Sequence, residues 1–289
     1  MSFPPEVYLI GAQKAGTTTL ASILSQHQQI CVAKNKEPHY FTHYFSGDSA
    51  KDLAWYQEQF SNYENNVCID ASTSYSFGQL SVNNSQYNNQ KFRNVPQRIY
   101  SINPNAKFIY LVRDPVDRTY SSYLHNLNTG REHQSFGEAI RNDYFYLDIS
   151  NYYGQLTLWL EYFPLKSFLF LLFEDLKHNP EQVAKQCFEF LEIDSENIQV
   201  NLQQHENRTR SINFVGRRFN KIFTELDYSG LGFLAPYLVR RLVHKLTINL
   251  GQKVPQMADD ERTFLCEYFA EKNHNLANLT GLSLEQWQS

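Results

Sequence analysis

The chain has 289 residues, enough for one large domain or two small ones with a sizeable buried core. A net charge of −4 excludes a generally basic nucleic-acid-binding surface, and 21 Phe with 19 Tyr exclude the composition of a disordered chain. The four cysteines, Cys31, Cys68, Cys187 and Cys266, are far apart and form no C-x-x-C pair, so neither a zinc site nor a disulfide framework is supported and a reducing compartment is expected.

The first ten residues, MSFPPEVYLI, lack the basic n-region and long apolar h-region of a signal peptide. The longest apolar run, residues 168–173, is too short to cross a bilayer. The expectation is a soluble cytoplasmic protein with no stable membrane insertion, in which the sequons at Asn83, Asn207 and Asn278 carry no weight.

Residues 7–10, VYLI, have strand character and run into a loop with Gly11, Lys14 and Gly16, followed by three threonines and an amphipathic segment. Strand, loop and helix in that order build an anion site, because loop N–H groups, the positive helix end and the Lys14 charge converge on one point. Glycine lets the backbone approach the guest, and the threonine hydroxyls can cap the helix or donate to ligand oxygens. A nucleotide triphosphatase loop reads G-x-x-x-x-G-K-[ST], with its lysine after the second glycine. Here Lys14 precedes Gly16, which suits a shorter anion. A tight strand-to-helix turn with a solvated lysine would read the same way.

A helix is expected over residues 18–26, with Leu20, Ile23 and Leu24 inward, and a second strand over 30–33. It leads into KNKEPHYF, where Pro38 bars helix at Glu37 and fixes an extended turn holding both charge signs and an imidazole. Residues 52–60 read as helix, 67–70 as a third strand, and 71–75 as a small, hydroxyl-rich segment. The polar SVNNSQYNNQ, residues 81–90, cannot build a core and reads as a surface loop or lid. After a helix over 95–103, KFIYLV at 107–112 is the near-continuous apolar run of a central strand covered on both faces. Arg113, Asp114 and Pro115 end it and open a helix through Leu124.

A helix over 150–163 stops at Pro164, and a buried strand over 168–173 carries Glu174 and Asp175 at its end. Residues 181–191 are helical. Beyond Gln203 the chain turns basic, and residues 214–250 read as a packed helix pair with solvated arginines rather than a surface for an anionic partner. One amphipathic helix spans 259–276. Short apolar strands alternating with helices imply an α/β fold, a P-loop-like three-layer sandwich whose central parallel sheet is flanked by helices. Ligands in such sheets sit at the strands' carboxyl ends, the rim shared by Gly11, Glu37, Ser72 and Arg113.

GAQKAGTTTL after the first strand, paired with YLVRDPVDRTYSSYLH after a later one, resembles the sulfotransferases that use 3′-phosphoadenosine 5′-phosphosulfate (PAPS). The likeness is to the branch that includes heparan sulfate sulfotransferases and many bacterial relatives. It implies that the first motif, through Gln13, Lys14, Ala15, Gly16, Thr17, Thr18 and Thr19, holds the 5′-phosphosulfate. It implies that Arg113 and Ser121, eight residues apart, hold the 3′-phosphate. KNKEPHYF looks like the family's turn that carries the proposed base, which puts Glu37 first and His39 second. YYGQLTLWLEYFP and LFLLFEDL resemble the later helix and strand, so the likeness covers about residues 7–180. The extracellular members close the site with a disulfide-bearing loop. The region here, QHENRTRSINFVGRR, has no cysteine and offers Arg208 or Arg210 as further phosphate ligands.

The resemblance implies sulfuryl transfer to a hydroxyl or amine of a small-molecule or carrier-bound acceptor, releasing 3′-phosphoadenosine 5′-phosphate (PAP), without a metal. Lys14 would stabilise the leaving phosphate, and one domain would span residues 1–289 with a helical part from about 205. A P-loop kinase of a small metabolite, with ATP and Mg²⁺, and a non-catalytic nucleotide-binding module are the alternatives. Nothing in the sequence selects among His43, His125 and His133 as acceptor-facing groups.

Overall fold

The computed structural model describes residues 5–45, 51–61, 66–81, 90–142, 144–194, 214–228, 234–236, 238–239, 242–243 and 256–287. Five strands, β1 (Val7–Gly11), β2 (Ile30–Val32), β3 (Val67–Asp70), β4 (Lys107–Val112) and β5 (Phe168–Leu172), form one sheet in the order β2-β3-β1-β4-β5. All four pairings are parallel, with Tyr8 opposite Phe108 and Phe108 opposite Phe168. Every residue of β1 and Phe108 to Val112 of β4 are buried, as the centre of a sheet covered on both faces requires. The expected α/β architecture is the observed one.

The order places the site. From β1 the chain passes through α1 (Thr17–Leu24) to the far edge at β2, returns through β3 beside β1, then crosses over to β4 and β5. The carboxyl ends of β1 and β4 are therefore neighbours that leave in opposite directions, the crevice where open α/β sheets bind ligands. Aromatic rings fill the core around this centre: Tyr8 stacks on Phe108 at 5.7 Å, and Trp159 and Phe163 lie 4.7 and 4.6 Å from the same ring. Leu276, Leu284 and Trp287 join that core from the chain's far end. A second apolar cluster gathers Val116, Tyr123, Phe136, Phe145, Leu265 and Phe269.

Local chemistry sets the boundaries. The helix after β4, α5 (Pro115–Thr129), has proline at its first position and the Asp114 carboxylate accepting from Asp117 N at 2.9 Å. The helix read over 150–163 begins at Tyr152, because Asn151 caps it by accepting from Gly154 N at 2.9 Å. The strand read over 168–173 ends at Leu172, and Phe173 already starts a helix (Phe173–His178), so Glu174 and Asp175 sit in its first turn. Two short helices, Phe136–Asn142 and Phe145–Ser150, and a π-turn at Tyr40–Tyr44 were not read from the sequence. The last helix runs four residues further than read, Asp259–Thr280, and stops at Gly281 with φ 74°. No described helix is long and apolar enough to cross a membrane.

Candidate active site

The loop after β1 leaves the start of α1 open. Its N-cap, Gly16, sits at φ 88° and offers no side-chain cap to the first helical N–H groups, so they stay free for a ligand. A Cβ on Gly16 would lie 2.9 Å from the Phe173 ring, so that ring approaches the loop as closely as glycine allows. Lys14 also takes a left-handed conformation, φ 70°. Ala15 and Thr17 are buried, Gln13, Lys14 and Thr19 are half-buried, and Thr18 is exposed.

The two motifs meet. Arg113 Nη1 donates a long hydrogen bond, 3.4 Å, to Lys14 O, and the guanidinium lies 5.0 Å from the centre of the Phe173 ring. The ordinary strand-end ion pair exists beside this contact: Arg113 Nη2 is 3.5 Å from Asp117 Oδ2, while the other oxygen of Asp117 takes Arg262 at 3.3 Å. Ser121 is 9% exposed on α5, and the adjacent Ser122 hydroxyl donates to Gln13 Oε1 at 3.4 Å, tying helix to loop. Arg208, Arg210 and residues 82–89 of the lid lie outside the described residues.

Adjacent β2 and β3 bring the third piece. Lys36 Nζ donates to Glu37 Oε1 at 2.7 Å and to Thr17 Oγ1 at 3.2 Å, spanning the anion loop and the carboxylate. Thr73 Oγ1 donates to Glu37 Oε2 at 2.9 Å, and His39 Nε2 stands 3.6 Å from the same oxygen. His39 is held from behind: its Nδ1 shares a hydrogen with Ser74 Oγ at 2.8 Å, and its backbone N donates to Ser72 Oγ at 2.9 Å. Ser72 in turn donates to Asp70, a fully buried carboxylate that also accepts from the Tyr56 and Tyr75 hydroxyls at 2.7 Å each.

A sulfotransferase domain model matches residues 4–222. The chain belongs to the sulfotransferase domain family. It is thus a transferase of sulfuryl groups. It is similar to mouse heparan sulfate glucosamine 3-O-sulfotransferase 5, 26% identical over 258 residues that cover 84% of this chain and 68% of the relative. Mouse bifunctional heparan sulfate N-deacetylase/N-sulfotransferase 4 is 24% identical over 98% of this chain, which spans only 31% of that relative. A solved sulfotransferase from Alicyclobacillus acidocaldarius shares the fold, with a TM-score of 0.68 and 22% identity over 99% of both chains.

Within this sulfotransferase the electrostatics follow from burial and three crowded cations. Burial lowers the Lys14 pKa, and the Arg113 and Arg118 charges lower it further. Burial alone would raise the Glu37 carboxyl, but the Lys36 ammonium and its hydrogen bond, with His39 and Thr73, bring it below the usual value. Burial holds the His39 imidazole below its ordinary value despite Glu37 and Asp70, so it is neutral at pH 7.

Two of the three undecided histidines stand near the groups described above. Burial, then Lys14 and Arg131, push His125 down to about 4 against the pull of Glu37, which places its imidazole in the field of the site. His43 shares a hydrogen with Thr42 Oγ1 at 2.7 Å, and its ring lies 5.5 Å from that of His39. The signal was available: His125 follows Ser121 by one helical turn on α5. Thr73 falls in the hydroxyl-rich segment read over 71–75, but its contact with Glu37 comes from the adjacency of β2 and β3, which the sequence does not show.

Proposed function

We propose that this sulfotransferase moves the sulfuryl group of PAPS to a hydroxyl or amine of a small-molecule or carrier-bound acceptor. The single observation that carries the reading is the contact of Arg113 Nη1 with Lys14 O, which joins two cationic ends of one site. A bisphosphorylated adenosine fits these residues by charge and donor type: Lys14, Thr17 and the uncapped start of α1 at one end, Arg113 and Ser121 at the other. PAPS supplies an activated sulfuryl group and, in PAP, its leaving group.

The chain's own residues take defined parts. Lys14, with its lowered pKa, holds a proton it gives up more readily than a solvated ammonium, which suits it to the departing phosphate. Glu37, ionised and fixed through both oxygens, is the proposed base for the acceptor proton. His39 is the second candidate, and it also buttresses Glu37. Family membership favours sulfuryl over phosphoryl transfer. A single domain supports this reading through Leu276 and Trp287 in the main core, and a cytoplasmic location belongs to the same proposal.

The test pairs binding with turnover. PAP should raise the unfolding midpoint where ATP with Mg²⁺ does not, and labelled PAPS offered with an acceptor panel should yield product that Glu37→Gln reduces by at least about a hundredfold. Stabilisation by ATP–Mg²⁺ alone would overturn the donor, and an undiminished rate in Glu37→Gln would overturn the base.

A further inference from the structure

Arg118 is one of the largest fully buried side chains of the protein, 0% exposed on the first turns of α5. Its Nη2 donates to Tyr146 O at 3.3 Å. Among the described residues its Nε and Nη1 have no hydrogen-bond partner. The strongest electrostatic neighbours of its charge are the Tyr152, Tyr110 and Tyr146 phenols and the Arg113 guanidinium, and no carboxylate stands among them. Arg118 also acts on Lys14.

A buried guanidinium is tolerated when an anion or a full set of acceptors compensates it, and is strongly destabilising when neither does. Two unmet donors on a fully enclosed charge in a native fold require an explanation. Arg118 lies one helical turn before Ser122, whose hydroxyl donates to Gln13 Oε1 of the anion loop, so its charge stands with Lys14 and Arg113 at the carboxyl ends of β1 and β4. Asp117, the residue before it in the chain, is already shared between Arg113 and Arg262.

We propose that Arg118 is a positioning residue whose counter-ion is the bound adenosine bisphosphate: a buried charge beside Lys14 and Arg113 that strengthens donor binding and stays uncompensated without it. The inference rests on the donor reading above. It makes a two-signed prediction, because the same charge destabilises the free chain and stabilises the complex.

The full chain and its Arg118→Met and Arg118→Lys variants are melted without ligand and with saturating PAP, and PAP affinity is measured by calorimetry. Arg118→Met, which keeps the volume and removes the charge, should melt at or above the wild-type midpoint without ligand. Its PAP-induced shift should be at most half the wild-type shift, with affinity lower by about tenfold or more. Arg118→Lys should fall between. A lower ligand-free midpoint with wild-type PAP shift and affinity would make Arg118 a structural residue and overturn the proposal, as would an Arg118→Met chain that does not fold. Failure of the wild-type protein to bind PAP would instead overturn the donor reading.

Discussion

Gly16→Ala tests how the anion loop is held. Gly16 has φ 88°, a left-handed conformation that costs an L side chain about 1–2 kcal/mol. The new methyl would also stand 2.9 and 3.1 Å from two Phe173 ring carbons and 3.2 Å from Leu176 Cδ2, closer than packed carbons allow. Overpacking of this kind adds about 1–3 kcal/mol. The total of roughly 2–5 kcal/mol corresponds to a fall in midpoint of about 5–15 °C for a chain of this size. The ring that must yield is the one under the Arg113 guanidinium, so PAP binding should weaken along with stability. Thermal melts and calorimetry read both effects. The double variant Gly16→Ala/Phe173→Leu separates them: trimming the ring should restore the packing share of the midpoint while the backbone share persists. A Gly16→Ala protein with wild-type midpoint and PAP affinity would refute both the strain and the role of Phe173 as a support.

Asp70→Asn should cost roughly 1–3 kcal/mol, since an amide whose oxygen accepts from Ser72 N turns its NH2 toward the Tyr56 and Tyr75 hydroxyls, which must then reverse from donor to acceptor, and a circular-dichroism melt with an unchanged midpoint would refute it. For His125, whose folded pKa of about 4 lies below the ordinary 6.5, the unfolded chain takes up a proton between those values that the folded chain refuses. Its contribution to stability is therefore full above pH 6.5 and is lost as pH falls toward 4, by on the order of 2–3 kcal/mol. Melts from pH 4 to 7 should show that loss in wild type and not in His125→Gln; parallel profiles would contradict it. Glu37 has a lowered folded pKa, so its stabilisation is present above the usual carboxylate range and disappears as pH falls through the folded value. The midpoint difference between wild type and Glu37→Gln should accordingly be largest near neutrality and shrink in acid, and a difference independent of pH would count against the clamped carboxylate.

The sheet was legible because parallel strands buried on both faces leave apolar runs, and VYLI and KFIYLV are such runs with polar clusters directly after them. That all those clusters share a rim follows from parallelism alone. That Arg113 reaches Lys14 needs one thing more, the adjacency of β1 and β4, which no periodicity encodes. The short helices between Phe136 and Ser150 escaped because segments of six and seven residues, fewer than two turns, are shorter than the window of about 11–18 residues in which a helical period stands out, and the π-turn at Tyr40–Tyr44 because YFTHY has Tyr or Phe at three of five positions and no period.

Charged residues show the same limit more sharply. A lysine next to a glutamate reads as a solvated pair, yet Lys36 reaches back nineteen residues to Thr17, a contact made by the folding of β2's exit turn over the start of α1. Arg118 reads as the polar side of an amphipathic helix, since arginine is almost never fully buried without a partner. Its position did hold a clue: it lies three and four residues before Ser121 and Ser122, and so on the face of α5 that turns toward the anion loop. On that face an arginine is either solvated through the crevice or enclosed against it, and only packing by Tyr110, Tyr146 and Tyr152 decides for enclosure. Both residues were hard to read because what surrounds their charge, Thr17 for Lys36 and three phenols for Arg118, comes from elements distant in sequence, and for Arg118 the lack of a carboxylate among those neighbours is what ties it to the proposed ligand.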